Sequence, residues 1–245
     1  CFIRITSERR TIYESCQTRD TIFNDISSPT KGGAIHISGN FKCGIVNCFF
    51  VRITAADLGG SVYCERASCL QRGNNFDDSV ITLLWPNNGG HAFYVYQGEH
   101  SISLVSLIRC SKNYPNGENS INLFDAENEI SCLNISNSFA HNDGSTLSLQ
   151  TKQNKIPYRF VMIYGCSGHN LIEFYGIDEG HWMELSAFVL NDVKSAVFHN
   201  SGGLFMEFRE CFVSGNTRRN VGRLITLIAC YGDLEASGMI GLSTP

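Results

Sequence analysis

Two glycines followed by a short apolar run occur as GGAIHI at 32–37, GGSVYC at 59–64 and GGHAFYV at 89–95. Glycine reaches positive φ without steric penalty, so each pair marks a tight turn before a strand. Recurrence at a steady interval constrains the fold more than any single motif, because it asks for one structural unit stacked on copies of itself. Aligned on the run after each turn, the units open at Ala34, Ser61, Ala92, Ile121, Thr146, Ile172, Ala196 and Leu224, in steps of 27, 31, 29, 25, 26, 24 and 28 residues. A second apolar strand follows the opening by 9 to 13 residues in most units, as in IVNCFFVRI from 45, ISLVSLIRC from 102 and FMEFRECF from 205.

The strands are rich in Ile, Val, Phe, Tyr and Thr and often alternate, and no stripe of helical period is sustained. A sandwich or barrel also uses many short strands, but it does not require matching positions every 24 to 31 residues. The expected fold is therefore all-β, a single-stranded parallel β-helix of about eight coils. At the usual strand spacing this makes a rod roughly 40 Å long. The unit opened by Ser61 fits least well, since SVITLLW at 79–85 adds a strand-like run, read as an inserted hairpin or a short extra coil. A polar signal closes the second strand, placing Asn113, Asn142, Asn170, Asp192 and Asn216 at corners, where they bond local backbone and stack on their copies. Residues 1–33 form an irregular capping coil, 34–230 the repeats, and 231–245 an apolar, Gly-rich end, including Leu242, that abuts further chain, another copy or a partner.

Charge narrows the function classes. Over 245 residues, 23 acidic and 19 basic side chains leave a net charge of −4, which does not point to nucleic acid or an anionic membrane. Arg218, Arg219 and Arg223 read as a solvated loop. No apolar run has the length of a membrane-spanning helix, so no membrane insertion is expected in this segment. The chain begins with Cys1 and is expected to be a piece of something longer. Eleven cysteines include two C-x4-C pairs, 43/48 and 64/69. Residues five apart in a strand point to opposite faces, so neither pair is expected to chelate, and no metal or cofactor is assigned. The cysteines read as small buried wall residues, with disulfides as the alternative in an oxidising compartment.

GGAI at 32–35 resembles the first half of the GGA[ILV] and FxxN repeat of polymorphic-outer-membrane-protein-like β-helices, and FAHN at 139–142 and FVLN at 188–191 resemble the second half. The resemblance implies a right-handed parallel β-helix on a cell surface, used for adhesion or antigenic display. Large families of trichomonad surface proteins look similar.

Many parallel β-helices act on polysaccharides, and that chemistry needs two carboxylates facing one cleft. The best acidic constellation is EFYGIDEGHWMEL, with Glu173, Asp178, Glu179, His181 and Glu184; His169 lies nearby, and Trp182 or Tyr175 would serve as a sugar platform. Asp178 to Gly180 reads equally as a solvated turn. The sequon at Asn134 falls within an expected strand. The favoured function is a non-catalytic surface scaffold engaging protein or glycan ligands through loops, with self-association through the solenoid ends. Its alternatives are a polysaccharide hydrolase or lyase at 173–184, and an intracellular structural component.

Overall fold

The computed structural model describes residues 4–77, 79–81, 89–110, 119–140, 144–151, 158–175, 181–201, 206–218, 220–221, 225–233, 235–236 and 242–243. Those residues form short strands that pair in parallel with strands about one repeat away, giving a β-solenoid. In the first wall the register runs Arg10↔Ile35↔Val62↔Phe93↔Ile121↔Leu147↔Ile172↔Phe198↔Val221. Second and third walls follow within each coil, as in Lys42–Val46 and Phe49–Val51. A short third sheet stacks Ser27–Ser28, Thr54–Ala55 and Val80–Ile81. The start of the SVITLLW run is therefore in register with earlier coils, as the fourth side of its own coil; 82–88 lie outside the described residues.

The paired glycines take distinct tasks. Gly32 has φ +64, the left-handed region, and donates its N–H to Leu58 O at 3.0 Å. Gly33 donates to Gly60 O at 3.0 Å, and Gly60 donates to Gly90 O at 3.1 Å. A Cβ on Gly33 would lie 2.2 Å from the Gly60 carbonyl oxygen, so only glycine lets the backbones stack here.

Inside the tube, alternate residues of each wall stack on their register partners. One column runs Phe23↔Phe50↔Phe76↔Leu107↔Ile135↔Ile163↔Phe188↔Val213, all buried. The rings of Phe23, Phe50 and Phe76 are near parallel, with centroids 5.0 and 4.6 Å apart. Offset stacking of this kind adds about 0.5–1.5 kcal/mol per pair beyond the area removed from water.

Two corners recur in coil after coil, and both place a residue in the left-handed region. Between the second and third walls the column is Asp20, Asn47, Gly73, Leu104, Cys132, Phe160, Leu185, Glu210 and Ala229, with φ between 48° and 65°. After the third wall it includes Asp25, Arg52, Arg109, Asn137, Gly165, Leu190 and Gly215. At most of these corners the N–H is held by the neighbouring coil; for example, Asn47 N donates to Arg72 O at 2.8 Å and Leu185 N to Arg209 O at 3.1 Å. The corners are thus fixed by stacking as much as by residue type.

The closing coils are shorter than the repeat suggests. Ile225 stacks on Met206, a step of 19 residues, so Ile225–Ile228, expected as part of a first-wall run, belongs to the second wall, while Leu224, its expected opening, lies outside the described residues.

Candidate functional site

The acidic constellation is only partly described, since Asp178 and Glu179 lie outside the described residues. Glu173 is buried in the first wall, accepts a hydrogen bond from Ser145 Oγ at 2.9 Å, and has His199 Nε2 at 4.0 Å. Its register partners are Ser148 and His199, so no second carboxylate stacks on it. His169 is half-buried and donates its backbone N–H to Gly144 O. His181 stands in register with Met206. The Trp182 ring is covered by the Arg209 guanidinium, 5.4 Å from its centroid, and Tyr175 is exposed. These residues do not assemble a paired-carboxylate cleft among the described residues.

The corner amides do assemble. Asn216 Oδ1 accepts from Asn191 N at 2.9 Å and from Asn191 Nδ2 at 2.8 Å, while Asn216 Nδ2 donates to Phe188 O. Asn191 Oδ1 in turn accepts from Cys166 N at 2.8 Å. The corner is filled by Asn191, not by its exposed neighbour Asp192, because Leu190 takes the left-handed bend and turns the next residue inward. Asn74 performs the same task at the other corner, between the second and third walls, accepting from Cys48 N and donating to Ile45 O. Ser138 and Ser186 substitute with their hydroxyls at Cys110 N and Val161 N. Asn170 is buried in the first wall, in register with Ser145 and Ala196, away from this corner. Asn113 and Asn142 lie outside the described residues. Asn134 is half-buried in mid-strand between Ser106 and Met162.

The feature that calls for a functional account is on the outside. Leu104, Phe160, Leu185 and Leu190 are exposed by 57%, 51%, 44% and 55%. All four sit at corners with φ between 51° and 54°. A left-handed conformation costs a non-glycine residue roughly 1–2 kcal/mol, and asparagine or aspartate tolerates it best. Each position therefore combines strained backbone with a large apolar side chain left in water. The adjacent third wall adds Met162, Tyr164, Phe212 and Tyr231, with Met162, Ala187, Phe212 and Tyr231 in one register column. Cys132, also exposed, lies in the corner column between Leu104 and Phe160. The result is an apolar face along the second half of the solenoid, of the kind that marks contact surfaces.

Within the tube lies a different cluster. The C-x4-C pair Cys64 and Cys69 converges instead of facing apart, because the chain turns at Arg66, φ 60°, between strands Val62–Glu65 and Ser68–Arg72. His100 stands in register with Cys69 on the next coil. The two sulfurs and a ring nitrogen of His100 lie within 4.8 Å of one another, and all three residues are buried. A hydrogen bond with Cys64, followed by burial, holds the Cys69 thiol well above its ordinary pKa.

Residues 20–38 match the family model of the Chlamydia polymorphic membrane protein repeat. The match spans the strand Thr21–Asn24, the GGAI turn and the strand Ile35–Ser38, the segment in which the glycine stack begins. Comparison with curated proteins and with solved structures gives no match. The chain is thus a β-solenoid carrying a polymorphic-membrane-protein-type repeat. Among the described residues no helix is long and apolar enough to cross a membrane.

The apolar corner column went unrecognised in the sequence, although a signal exists. In Glu99–Ile108 inward and outward residues alternate until Leu104 and Val105, where two apolar residues adjoin and the alternation slips; Phe160 and Val161 repeat the slip.

Proposed function

We propose that the chain is part of a cell-surface solenoid that works by contact, not catalysis, with the apolar outer face of its second half meeting a protein partner. The observation carrying this reading is the coincidence of exposure and left-handed backbone at Leu104, Phe160, Leu185 and Leu190. Side chains that do not help their own fold are retained where they serve something else. Leucine fills three of these four corners, and aliphatic side chains suit a protein surface better than a sugar, whose stacking would call for aromatic rings alone. The family match at 20–38 supports a surface location, since that repeat is named for membrane proteins.

Antibody labelling of intact source cells tests the location, with signal expected without permeabilisation. Adhesion of protein-coated beads to those cells, before and after a bulky polar maleimide is attached at exposed Cys132, tests the face; Cys132→Ser is the control that cannot be labelled there. Labelling is expected to abolish adhesion of the wild type and leave Cys132→Ser adherent. Equal adhesion with and without the label at Cys132 would overturn the assignment. Inhibition by free sugars would replace the protein partner with a glycan, and beads adhering to one another would make the partner a second copy.

A further inference from the structure

We infer that Cys64, Cys69 and His100 form a binding site for a thiophilic d10 cation, with Zn2+ as the ion of choice. The three ligand atoms lie within 4.8 Å of one another in the interior. A tetrahedral zinc ion with Zn–S near 2.3 Å would hold its sulfurs about 3.8 Å apart, so modest side-chain rotation suffices. The histidine supplies the second, independent observation. His100 is 4% exposed, and its Nε2 lies 3.1 Å from the Gln97 carbonyl oxygen. A carbonyl only accepts, so Nε2 carries the proton and Nδ1 keeps its lone pair. That Nδ1 is buried without a hydrogen bond of ordinary geometry, and the ring lies near enough to Cys69 to act on its thiol. An unpartnered buried acceptor is costly, whereas a metal-binding histidine typically has its other N–H held by a carbonyl in this way.

Charge and softness select the ion. Two thiolates and a neutral imidazole balance Zn2+ to zero net charge, which a buried site requires. The set offers no carboxylate or carbonyl ligand that would suit Mg2+ or Ca2+. Cys43, in register with Cys69 on the preceding coil, is the next sulfur in the column; its thiol is hydrogen-bonded to that of Cys16, the sulfurs 3.6 Å apart. Binding would release the two thiol protons to solvent and tie three strand segments from two coils to one ion. The site stands independently of the proposed contact face, since its residues are buried.

The test is titration of the reduced full chain with Co2+, followed by displacement with Zn2+. One Co2+ per chain is expected, with a thiolate-to-metal charge-transfer band that Zn2+ removes. Cys69→Ser should lose that band, and His100→Gln should weaken binding by more than about a hundredfold, beyond the roughly 10–100-fold range of changes around a site, at unchanged circular dichroism. Cys211→Ser should retain full binding. Absence of the band in the wild type, equal affinity in His100→Gln, or a Cys64–Cys69 disulfide in protein made without reductant in zinc-containing medium would overturn the site. If Cys69→Ser does not fold, X-ray absorption of the zinc-loaded wild type decides. A shell of sulfur at about 2.3 Å with nitrogen at about 2.0 Å supports the site; a shell without sulfur overturns it.

Discussion

The two halves of the solenoid share one interior and differ on one outer edge. In the first half the corners carry residues suited to their conformation and to water. Asn47 donates to Asp20 at 3.3 Å, Gly73 follows in the column, and Arg52 clamps Asp25 with bonds of 2.5 and 2.8 Å while also reaching Asn24. At the boundary, in the coil that also carries Leu104, Arg109 binds both carboxylate oxygens of Asp77. Exposed apolar residues occur there too, but Phe49 is flanked in register by Ile22 and Asn75, and Leu70 by Gly44 and Ser101, so they form no continuous face. From Leu104 onward the column between the second and third walls carries Leu104, Cys132, Phe160 and Leu185 before it ends in Glu210 and Ala229, and Leu190 joins Asn137, Gly165 and Gly215 at the other corner. In the first half side-chain bonds add to the inter-coil backbone bonds at the bend, whereas at Leu185 and Leu190 the backbone bonds to Arg209 O and Ser214 O hold the bend and leave an apolar side chain exposed.

If the difference is confined to the edge, the interiors must respond alike. Phe50→Ala in the first half and Phe188→Ala in the second each remove a fully buried ring, and each is expected to lower unfolding free energy by about 3–5 kcal/mol. Denaturant unfolding checks this; a loss under about 1 kcal/mol in one half would show that the halves differ inside as well. Next in size is Asn191→Ala, which strips the acceptor from Cys166 N and the donor from Ile163 O. A loss of about 1–3 kcal/mol per group left unpaired is expected, and an unchanged midpoint would mean that water replaces the amide.

Asn47→Leu sharpens the comparison from the other side, by writing a second-half residue into a first-half corner. It is expected to destabilise by about 1 kcal/mol, the penalty of the left-handed conformation, together with loss of the bond to Asp20. The smallest effect belongs to Arg52→Ala. Hydrogen bonding to Arg52 lowers the Asp25 pKa below its ordinary 3.8. A depressed carboxylate contributes stability above its unfolded pKa and loses it as pH falls through the folded value. The variant should therefore differ slightly from wild type at neutral pH and converge with it as pH falls below the ordinary 3.8 and through the lowered folded value. A gap that widens on acidification would contradict this pairing. Both groups are solvent-exposed, so a small shift is the expected scale.

The parallel repeat was legible because glycine pairs have one physical meaning at that spacing: Gly33, Gly60 and Gly90 stack backbone on backbone where a Cβ cannot fit. What stayed hidden depends on where the chain bends inside a run of strand-like residues. Leu and Phe carry no turn propensity, so the corners at Leu104 and Phe160 show only as a slip in alternation. One unseen bend at Arg66 reverses the reading of Cys64 and Cys69, from opposite faces of a strand to one interior cluster. A bend at Leu190 shifts the buried corner amide by one residue, from Asp192 to Asn191. The shortened closing coils put Ile225–Ile228 in the second wall instead of the first, since a fixed period cannot anticipate a change in coil length.

The central claim is that the second-half edge is shaped for contact at the expense of its own stability. The thermal midpoint of Phe160→Asn/Leu185→Asn tests it most directly, because asparagine relieves the backbone strain and removes apolar surface from water. The account expects the midpoint to rise, by a few degrees for about 1 kcal/mol gained. A fall of similar size would show that Phe160 and Leu185 support their own fold, and would contradict the claim.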